Sequence, residues 1–126
     1  MGVYVGGANR ACAQPNLTAG WVATVQGQGW GIIPTYVGLQ APCGTIRNKI
    51  DPAQAAPQGT QAADDAITQA SALGFAPNDP VYFDMEAFPT SDQGCIDAVK
   101  AFLQAWTEIG RASCGKECRS RWSPYH

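Results

Sequence analysis

Short apolar runs alternate with segments of helical period along this chain, and the alternation restricts the fold. The apolar runs occupy residues 3–7, 32–37 and 80–86. There are three helical segments. The first is capped by Asn16 or Thr18, the second covers about residues 60–73, and the third begins at Ser91 or Asp92. Strands that are apolar on both faces and separated by helices favour a parallel sheet with right-handed crossovers. The pattern predicts an α/β fold of about three βα units.

Two architectures contain units of this kind. One is a small doubly wound sheet, and the other is a partial (βα)8 TIM barrel. A chain of 126 residues is shorter than most complete barrels. Because the first strand begins at the second or third residue and the third helix runs into an unrelated tail, both ends look cut. We therefore expect a partial TIM barrel, with the doubly wound sheet as the alternative.

The last stretch of the sequence differs from the rest. Residues 109–126 have no apolar period and carry a basic bias, and they begin with Ile-Gly-Arg-Ala-Ser-Cys. That run resembles the translation of a common sequencing adapter. We predict that residues 1–108 form the domain and that residues 109–126 are a non-native tail; the alternative is a genuine, disordered basic tail.

Without this tail the chain is acidic. The whole chain has 8 basic and 10 acidic residues, and the tail holds four of the basic ones and one acidic one, which leaves a net charge of −5. This charge argues against nucleic acid or an anionic membrane surface as a partner. No apolar run is long enough for membrane insertion. The only histidine, His126, lies in the tail, so we expect no metal site and no cofactor.

Two carboxylates close the third apolar run, at Asp84 and Glu86. Residues two apart on a strand share a face, with Cα atoms roughly 6–7 Å apart. Burying a carboxylate is costly unless it is paired or hydrogen-bonded, so a strand that ends in two of them usually presents them to a ligand. We predict Asp84 and Glu86 as the catalytic pair of a glycoside hydrolase. The alternative is a structural pair satisfied by helix N-termini or by an arginine.

Further polar and aromatic residues are predicted at the same edge of the sheet. In parallel α/β folds, ligands bind at the carboxyl ends of the strands. Asn9 follows the first strand, and Tyr36 and Gln40 lie at or after the end of the second. The predicted substrate-binding residues are Asn9, Tyr36, Gln40 and Tyr82. For the tyrosines, the alternative is a packing role in the core.

Three cysteines precede the tail, at Cys12, Cys43 and Cys95. Their spacing fits no zinc-binding pattern. Each follows a predicted strand, and an odd number leaves at least one without a partner. Two interpretations stay open: buried free thiols, or a Cys12–Cys43 disulfide in an exported protein.

Four segments together resemble a known family. They are residues 4–12 (Tyr-Val-Gly-Gly-Ala-Asn-Arg-Ala-Cys), 15–18 (Pro-Asn-Leu-Thr), 34–43 (Pro-Thr-Tyr-Val-Gly-Leu-Gln-Ala-Pro-Cys) and 82–86 (Tyr-Phe-Asp-Met-Glu). The resemblance covers about residues 2–107. It is to the glycoside-hydrolase-like TIM-barrel domain of exported, often actinobacterial, proteins, which is similar in fold to the family-25 lysozymes.

The resemblance implies that the strand before Asp84 is the fourth of a barrel, so that this piece holds strands two to four. The family's first-strand Asp and its nearby Cys are absent here, and such a Cys would offer the odd cysteine a partner. The implied function is that of a fragment of an exported, extracellular or cell-wall-associated glycoside hydrolase that acts on peptidoglycan or a related polysaccharide. The signal peptide is expected outside this fragment. The alternative is an inactive barrel module that binds glycan.

Overall fold

The structure is a computed structural model that describes the backbone of residues 1–114 and the side chains of residues 1–109. Its strands are β1 (Gly2–Gly6), β2 (Ile33–Tyr36) and β3 (Tyr82–Phe83). Its helices are α1 (Ala19–Gly27), α2 (Ala55–Ala72) and α3 (Gln93–Cys114), and a short 3₁₀ turn at Pro52–Gln54 leads into α2. The predicted tail lies outside the described residues, apart from the end of α3.

The described strands form one parallel sheet in the order β1-β2-β3. Gly2 pairs with Ile33 and Thr35 pairs with Tyr82, with a register shift between Tyr4 and Gly6. Each pair of strands is joined through a helix, as parallel pairing requires. The predicted α/β fragment of about three βα units is therefore confirmed. In this part of the chain the strands keep their sequential order, without the reversal of order that doubly wound sheets contain.

One face of the sheet carries the core. Val5 of β1, Tyr36 of β2 and Phe83 of β3 are buried in a single cluster to which all three described helices contribute. The opposite face is open: Tyr4 is 45% exposed and Ile33 is 48% exposed. Alternation along the strands explains the difference, because neighbouring side chains point to opposite faces. The sheet is thus apolar on both faces but covered on one.

Aromatic rings attach α3 to the sheet. The Trp106 ring lies 5.3 Å from that of Tyr36 and 5.0 Å from that of Phe83. Phe102, which is fully buried, meets Phe83 edge-to-face at 5.3 Å. Such tilted and edge-to-face pairs each contribute about 0.5–1.5 kcal/mol beyond the burial of their area. Because α3 is strongly amphipathic, these residues were predictable from their helical spacing.

Small residues let α2 approach α3 closely. The buried face of α2 consists of Ala55, Gly59, Ala63, Ala66 and Ala70. A Cβ atom added at Gly59 would lie 2.1 Å from the carbonyl oxygen of Phe102 and 3.1 Å from the Cβ of Ala105. The backbones of the two helices therefore meet at Gly59, and no larger residue fits there without moving a helix.

Two element boundaries differ from the prediction. The second helix begins at Ala55 rather than near residue 60, and it contains Pro57. Proline is tolerated in a first helical turn, where its missing N–H has no intrahelical partner in any case. The third strand is shorter than predicted and ends at Phe83. The predicted cap at Thr18 is confirmed, since its hydroxyl accepts a hydrogen bond from the N–H of Trp21 at 3.1 Å.

A disulfide joins Cys43 to Cys95, with Cα atoms 5.9 Å apart. Of the cysteines whose side chains the structure describes, Cys12 is the free one, and it is exposed. Both predicted interpretations, buried free thiols and a Cys12–Cys43 bridge, are wrong. The loop after β2 lies against the start of α3. Cys43 is therefore bonded to Cys95, 52 positions away, and not to Cys12 in the exposed loop that follows β1. Within the described residues, no helix is long and apolar enough to cross a membrane.

The contact at Gly59 leads to a stability prediction. We expect Gly59→Ala to lower the free energy of unfolding by about 1–3 kcal/mol, the usual range for overpacking a filled site. Gly20→Ala is the matched control, because a Cβ in that helical position would meet only the Thr18 hydroxyl, at 3.8 Å. Urea unfolding of both variants measures the difference. Equal stability of the two variants would contradict the close helix contact.

The disulfide leads to a second prediction. Replacing Cys43 and Cys95 by Ser is expected to lower the free energy of unfolding by about 4 kcal/mol, from the chain-entropy cost of a loop of this length. Cys12→Ser is the control and should leave stability within about 0.5 kcal/mol. Mass spectrometry of the unreduced protein should show a Cys43–Cys95 cross-linked peptide. A linked peptide that contains Cys12 instead would refute the pairing.

Candidate active site

The acidic segment Asp84-Met85-Glu86 follows β3 directly. The N–H of Asp84 still donates to the carbonyl oxygen of Tyr36 at 2.9 Å, so pairing with β2 continues one residue past the assigned strand. Asp84 is half-buried and Glu86 is exposed. The segment therefore leaves the sheet at the carboxyl end of a parallel strand, where ligands bind in α/β folds.

The side chain of Gln40 continues the pairing beyond that point. Its Nε2 donates to the carbonyl oxygen of Asp84 at 2.8 Å, and its Oε1 accepts from the N–H of Glu86 at 2.8 Å. In a parallel ladder these two groups would bond to the backbone of the neighbouring strand. The amide of Gln40 takes the place of that backbone.

This hydrogen bonding determines the face on which the carboxylates lie. The N–H groups of Asp84 and Glu86 both point towards the β2 side, which is the alternation of an extended chain. Residues two apart in such a chain share a face. Phe83 is buried and Met85 packs against the core, on the helix side. Asp84 and Glu86 therefore belong to the open face, together with Tyr82.

The two carboxylates are not engaged within the described part of the chain. No hydrogen bond or ion pair of either side chain is formed there, whereas the backbone groups on both sides of Met85 are held. The structural alternative, a pair satisfied by helix N-termini or an arginine, thus has no contact in its support among residues 1–109. Carboxylates fixed through their backbone and free at their oxygens can act on a ligand.

Hydrogen bonds of Asn9 and Asn48 join the loop after β1 to the loop after β2. The Asn9 amide donates to the carbonyl oxygens of Gly38 at 2.9 Å and of Asn48 at 2.8 Å, and Asn48 donates to the carbonyl oxygen of Ala8 at 2.9 Å. The loop after β1 is thereby fixed to the loop after β2. The Asn9 side chain, predicted to bind substrate, serves this closure in the structure.

Two glycines permit this close approach of loops. Gly7 has a φ of +114°, and a Cβ there would lie 2.0 Å from the carbonyl oxygen of Val37. A Cβ at Gly38 would lie 2.6 Å from the ring of Phe83. Glycine is therefore needed at Gly7 for its positive φ and for space, and at Gly38 for space alone.

Tyr36 lies on the helix face rather than at the open edge. Its ring is 5% exposed, and its hydroxyl donates to Asp65 Oδ2 at 2.6 Å. Burial, and then the hydrogen bond and negative charge of Asp65, raise the pKa of Tyr36 above its usual value. The position gives Tyr36 a packing role, which was the alternative reading of the tyrosines.

Tyr82 occupies the other face. It is half-buried and pairs with Thr35, which in turn pairs with the 45% exposed Tyr4. These three residues form a row across the open face, next to the acidic segment. Of the four predicted substrate-binding residues, the structure brings Tyr82 to the carboxylates as an open side chain and Gln40 as a buried support.

Sequence reasoning missed two partners, Asn48 and Asp65. Asn48 lies in a long loop with no local pattern, and it acquires its role only through contact with Asn9. Asp65 lies at the border of the buried face of α2, next to the exposed Asp64, and only the contact with Tyr36 distinguishes the two carboxylates. Within the described residues no group of His, Cys, Asp and Glu side chains could hold a metal ion.

A cavity of about 250 Å³ lies elsewhere, between the loop after β1 and the end of α2. It is lined by Arg10, Gln14, Gln69 and apolar residues, and neither Asp84 nor Glu86 contributes to it. The open face of the sheet, not this cavity, therefore carries the candidate site.

The chain is thus an α/β domain with two carboxylates just beyond the carboxyl end of a parallel strand. Over residues 1–117 the chain matches the family described as Rv2525c-like, glycoside hydrolase-like domain. The match spans most of the chain, so the chain belongs to this family, and the resemblance stated from the sequence is confirmed. No curated protein and no solved structure matches the chain.

The position of Tyr36 predicts how stability depends on pH. Its pKa is raised in the folded state, so the unfolded chain loses this proton first, near the ordinary value of 10.0. The contribution of Tyr36 to the free energy of unfolding is therefore fully present below about pH 10. Above that pH it decreases by up to about 1.4 kcal/mol per pH unit.

Urea unfolding between pH 9 and 11 measures this effect. Tyr36→Phe should lose less stability over this range than the wild type, because it lacks the titrating hydroxyl. Tyr4→Phe, which removes an exposed hydroxyl, should keep the wild-type dependence. The same pH dependence in Tyr36→Phe and the wild type would exclude the raised pKa as a source of stability.

Proposed function

We propose that this chain is part of an exported glycoside hydrolase that acts on cell-wall peptidoglycan or a related polysaccharide. The observation that supports the proposal best is the acidic segment: its backbone is fixed by β2 and Gln40 while both carboxylates are left open. Membership of a glycoside hydrolase-like family agrees with it.

The proposed architecture is a TIM barrel of which this chain supplies three βα units. The described strands run in sequential order, and all the described helices pack on one face. The open face bears Tyr4 and Ile33, apolar side chains that the packed interior of a barrel would cover. In a barrel, Asp84 and Glu86 would lie at the catalytic end.

The proposed chemistry assigns one role to each carboxylate. Glu86, the more exposed of the two, protonates the leaving glycosidic oxygen as general acid. Asp84 is the partner carboxylate. In a substrate that carries an N-acetyl group, Asp84 would orient the acetamide as it attacks the anomeric carbon, which is the substrate-assisted route. Tyr82, on the same face, offers a ring against which a sugar can pack.

Export is proposed on the basis of the disulfide. Cys43 and Cys95 are bridged, and such bridges form and persist in oxidising compartments, outside the cytosol. A protein that acts on the cell wall must reach that compartment.

A second candidate function is glycan binding without hydrolysis. Tyr82 supports it, because it precedes Asp84 by two residues on the same face, and an aromatic ring near the carboxyl end of a strand can stack on a sugar. In this alternative the carboxylates would only accept hydrogen bonds from sugar hydroxyls.

Glu86→Gln tests the proposed chemistry in the full protein. Loss of the general acid should lower kcat for peptidoglycan or chitin-like oligomers by about 10²–10⁴-fold. Binding of the oligomers, measured by calorimetry, should be retained because the amide has the same shape. The matched control is Glu108→Gln, an exposed glutamate on α3, which should leave kcat unchanged.

The outcomes separate the two functions. Unchanged kcat in Glu86→Gln would reject the role assigned to Glu86. Saturable binding of oligomers by the wild type, with no release of reducing ends, would favour the glycan-binding module.

A further inference from the structure

Gln40 is a buried polar side chain with an unusual set of partners. It is 1% exposed, and it is one of the largest fully buried side chains of the described residues. Glutamine is mostly found on protein surfaces, and its ordering costs about 1.5–2 kcal/mol of rotamer entropy. A buried glutamine therefore needs hydrogen bonds that offset these costs.

The Gln40 amide makes three such bonds, all to backbone groups. Nε2 donates to the carbonyl oxygens of Gly38 at 3.0 Å and Asp84 at 2.8 Å, and Oε1 accepts from the N–H of Glu86 at 2.8 Å. Both amide protons are used. No bond goes to a carboxylate, so the side chain acts on the backbone of the acidic segment and leaves the carboxylates free.

The position of the bonds is specific to the acidic pair. They fix the carbonyl of the first acidic residue and the N–H of the second, which lie on either side of the Met85 residue. The two peptide groups that set the directions of the Asp84 and Glu86 side chains are thus held by a single planar amide. A rotation at Met85 would break at least one of these bonds.

Gln40 is itself held firmly. Its backbone N–H donates to the carbonyl oxygen of Asn48 at 3.0 Å, and its carbonyl oxygen accepts from the N–H of Ile50 at 2.8 Å. Three residues later the chain is linked to α3 through the disulfide between Cys43 and Cys95. The amide is therefore mounted on a rigid loop, as a part that fixes the geometry of a site must be.

We infer that Gln40 is a positioning residue, which sets the relative direction of the Asp84 and Glu86 carboxylates and does not itself touch the sugar. This inference rests on the proposed glycoside hydrolase function. It assigns Gln40 a different role from the substrate contact that its place in the sequence suggests.

The test compares Gln40→Met with Gln58→Met in the full protein. Methionine keeps the size of the side chain and removes its hydrogen bonds. Gln58 is the matched control, because its Oε1 also accepts a backbone N–H across a loop, that of Asp51 at 2.8 Å, away from the acidic segment. We expect Gln40→Met to lower kcat at least 10-fold with KM within about 2-fold, since misdirected carboxylates affect the reaction more than binding.

Hydrogen exchange supplies a readout that does not depend on turnover. The Glu86 amide proton should exchange at least 10-fold faster in Gln40→Met than in Gln58→Met, because its acceptor has been removed. If Gln40→Met does not fold, Gln40→Asn serves instead: its amide is one methylene too short to reach both Asp84 and Glu86.

Two failures can be told apart. If the wild type has no turnover, the proposed function fails, and the exchange of the Glu86 amide still decides whether Gln40 holds the segment. If the wild type turns over but the Gln40 and Gln58 variants share the same kcat and the same Glu86 exchange, the positioning role is overturned. A rise in KM with unchanged kcat would also overturn it, in favour of a direct substrate contact.

Discussion

The packing of α3 against the ends of β2 and β3 is the interaction on which the rest of the structure depends. Trp106 contacts both Tyr36 and Phe83, so the helix fixes the two strands at the point where the acidic segment leaves the sheet. Phe102 serves two purposes: its ring packs on Phe83, and its backbone meets Gly59 of α2. One layer of contacts therefore joins the sheet to both long helices.

This one-sided core explains the position of the candidate site. Because the helices cover only the face that carries Phe83, the residues on either side of it along the chain, Tyr82 and Asp84, turn to the open face. The carboxylates are thus directed away from the helices by the same alternation that buries the aromatic ring. The alternation of side chains along β3 thus places the core on one face of the sheet and the candidate site on the other.

Local sequence patterns were sufficient to predict the helices and strands, whereas contacts between residues distant in sequence could not be predicted. The strand–helix alternation, the Thr18 cap and the amphipathic α3 depend on neighbours in sequence, and all three were predictable. The start of α2 was missed because Pro57 usually breaks a helix, although a first turn accepts it. The disulfide could not be predicted because its cysteines are 52 residues apart and meet only through the folded loop.

The face of the sheet on which Tyr36 lies could not be predicted either. Tyr36 pairs in register with Phe83, so it shares the helix face, and knowledge of that register would have placed it in the core. Register is a property of two strands together, which a single run of sequence does not contain.

The need for Gln40 follows from where β2 ends. After Val37 the chain turns away at Gly38, whose carbonyl oxygen accepts a hydrogen bond from Asn9. The backbone of Gln40 then pairs with Asn48 and Ile50 rather than with the chain that follows β3. The acidic segment would then have lost its neighbouring strand, and the half-buried backbone around Asp84 would lack partners, at a cost of about 1–3 kcal/mol for each unpaired group. A side-chain amide has the same donor and acceptor as a peptide group. It can therefore satisfy the backbone of the acidic segment although β2 does not extend beside it.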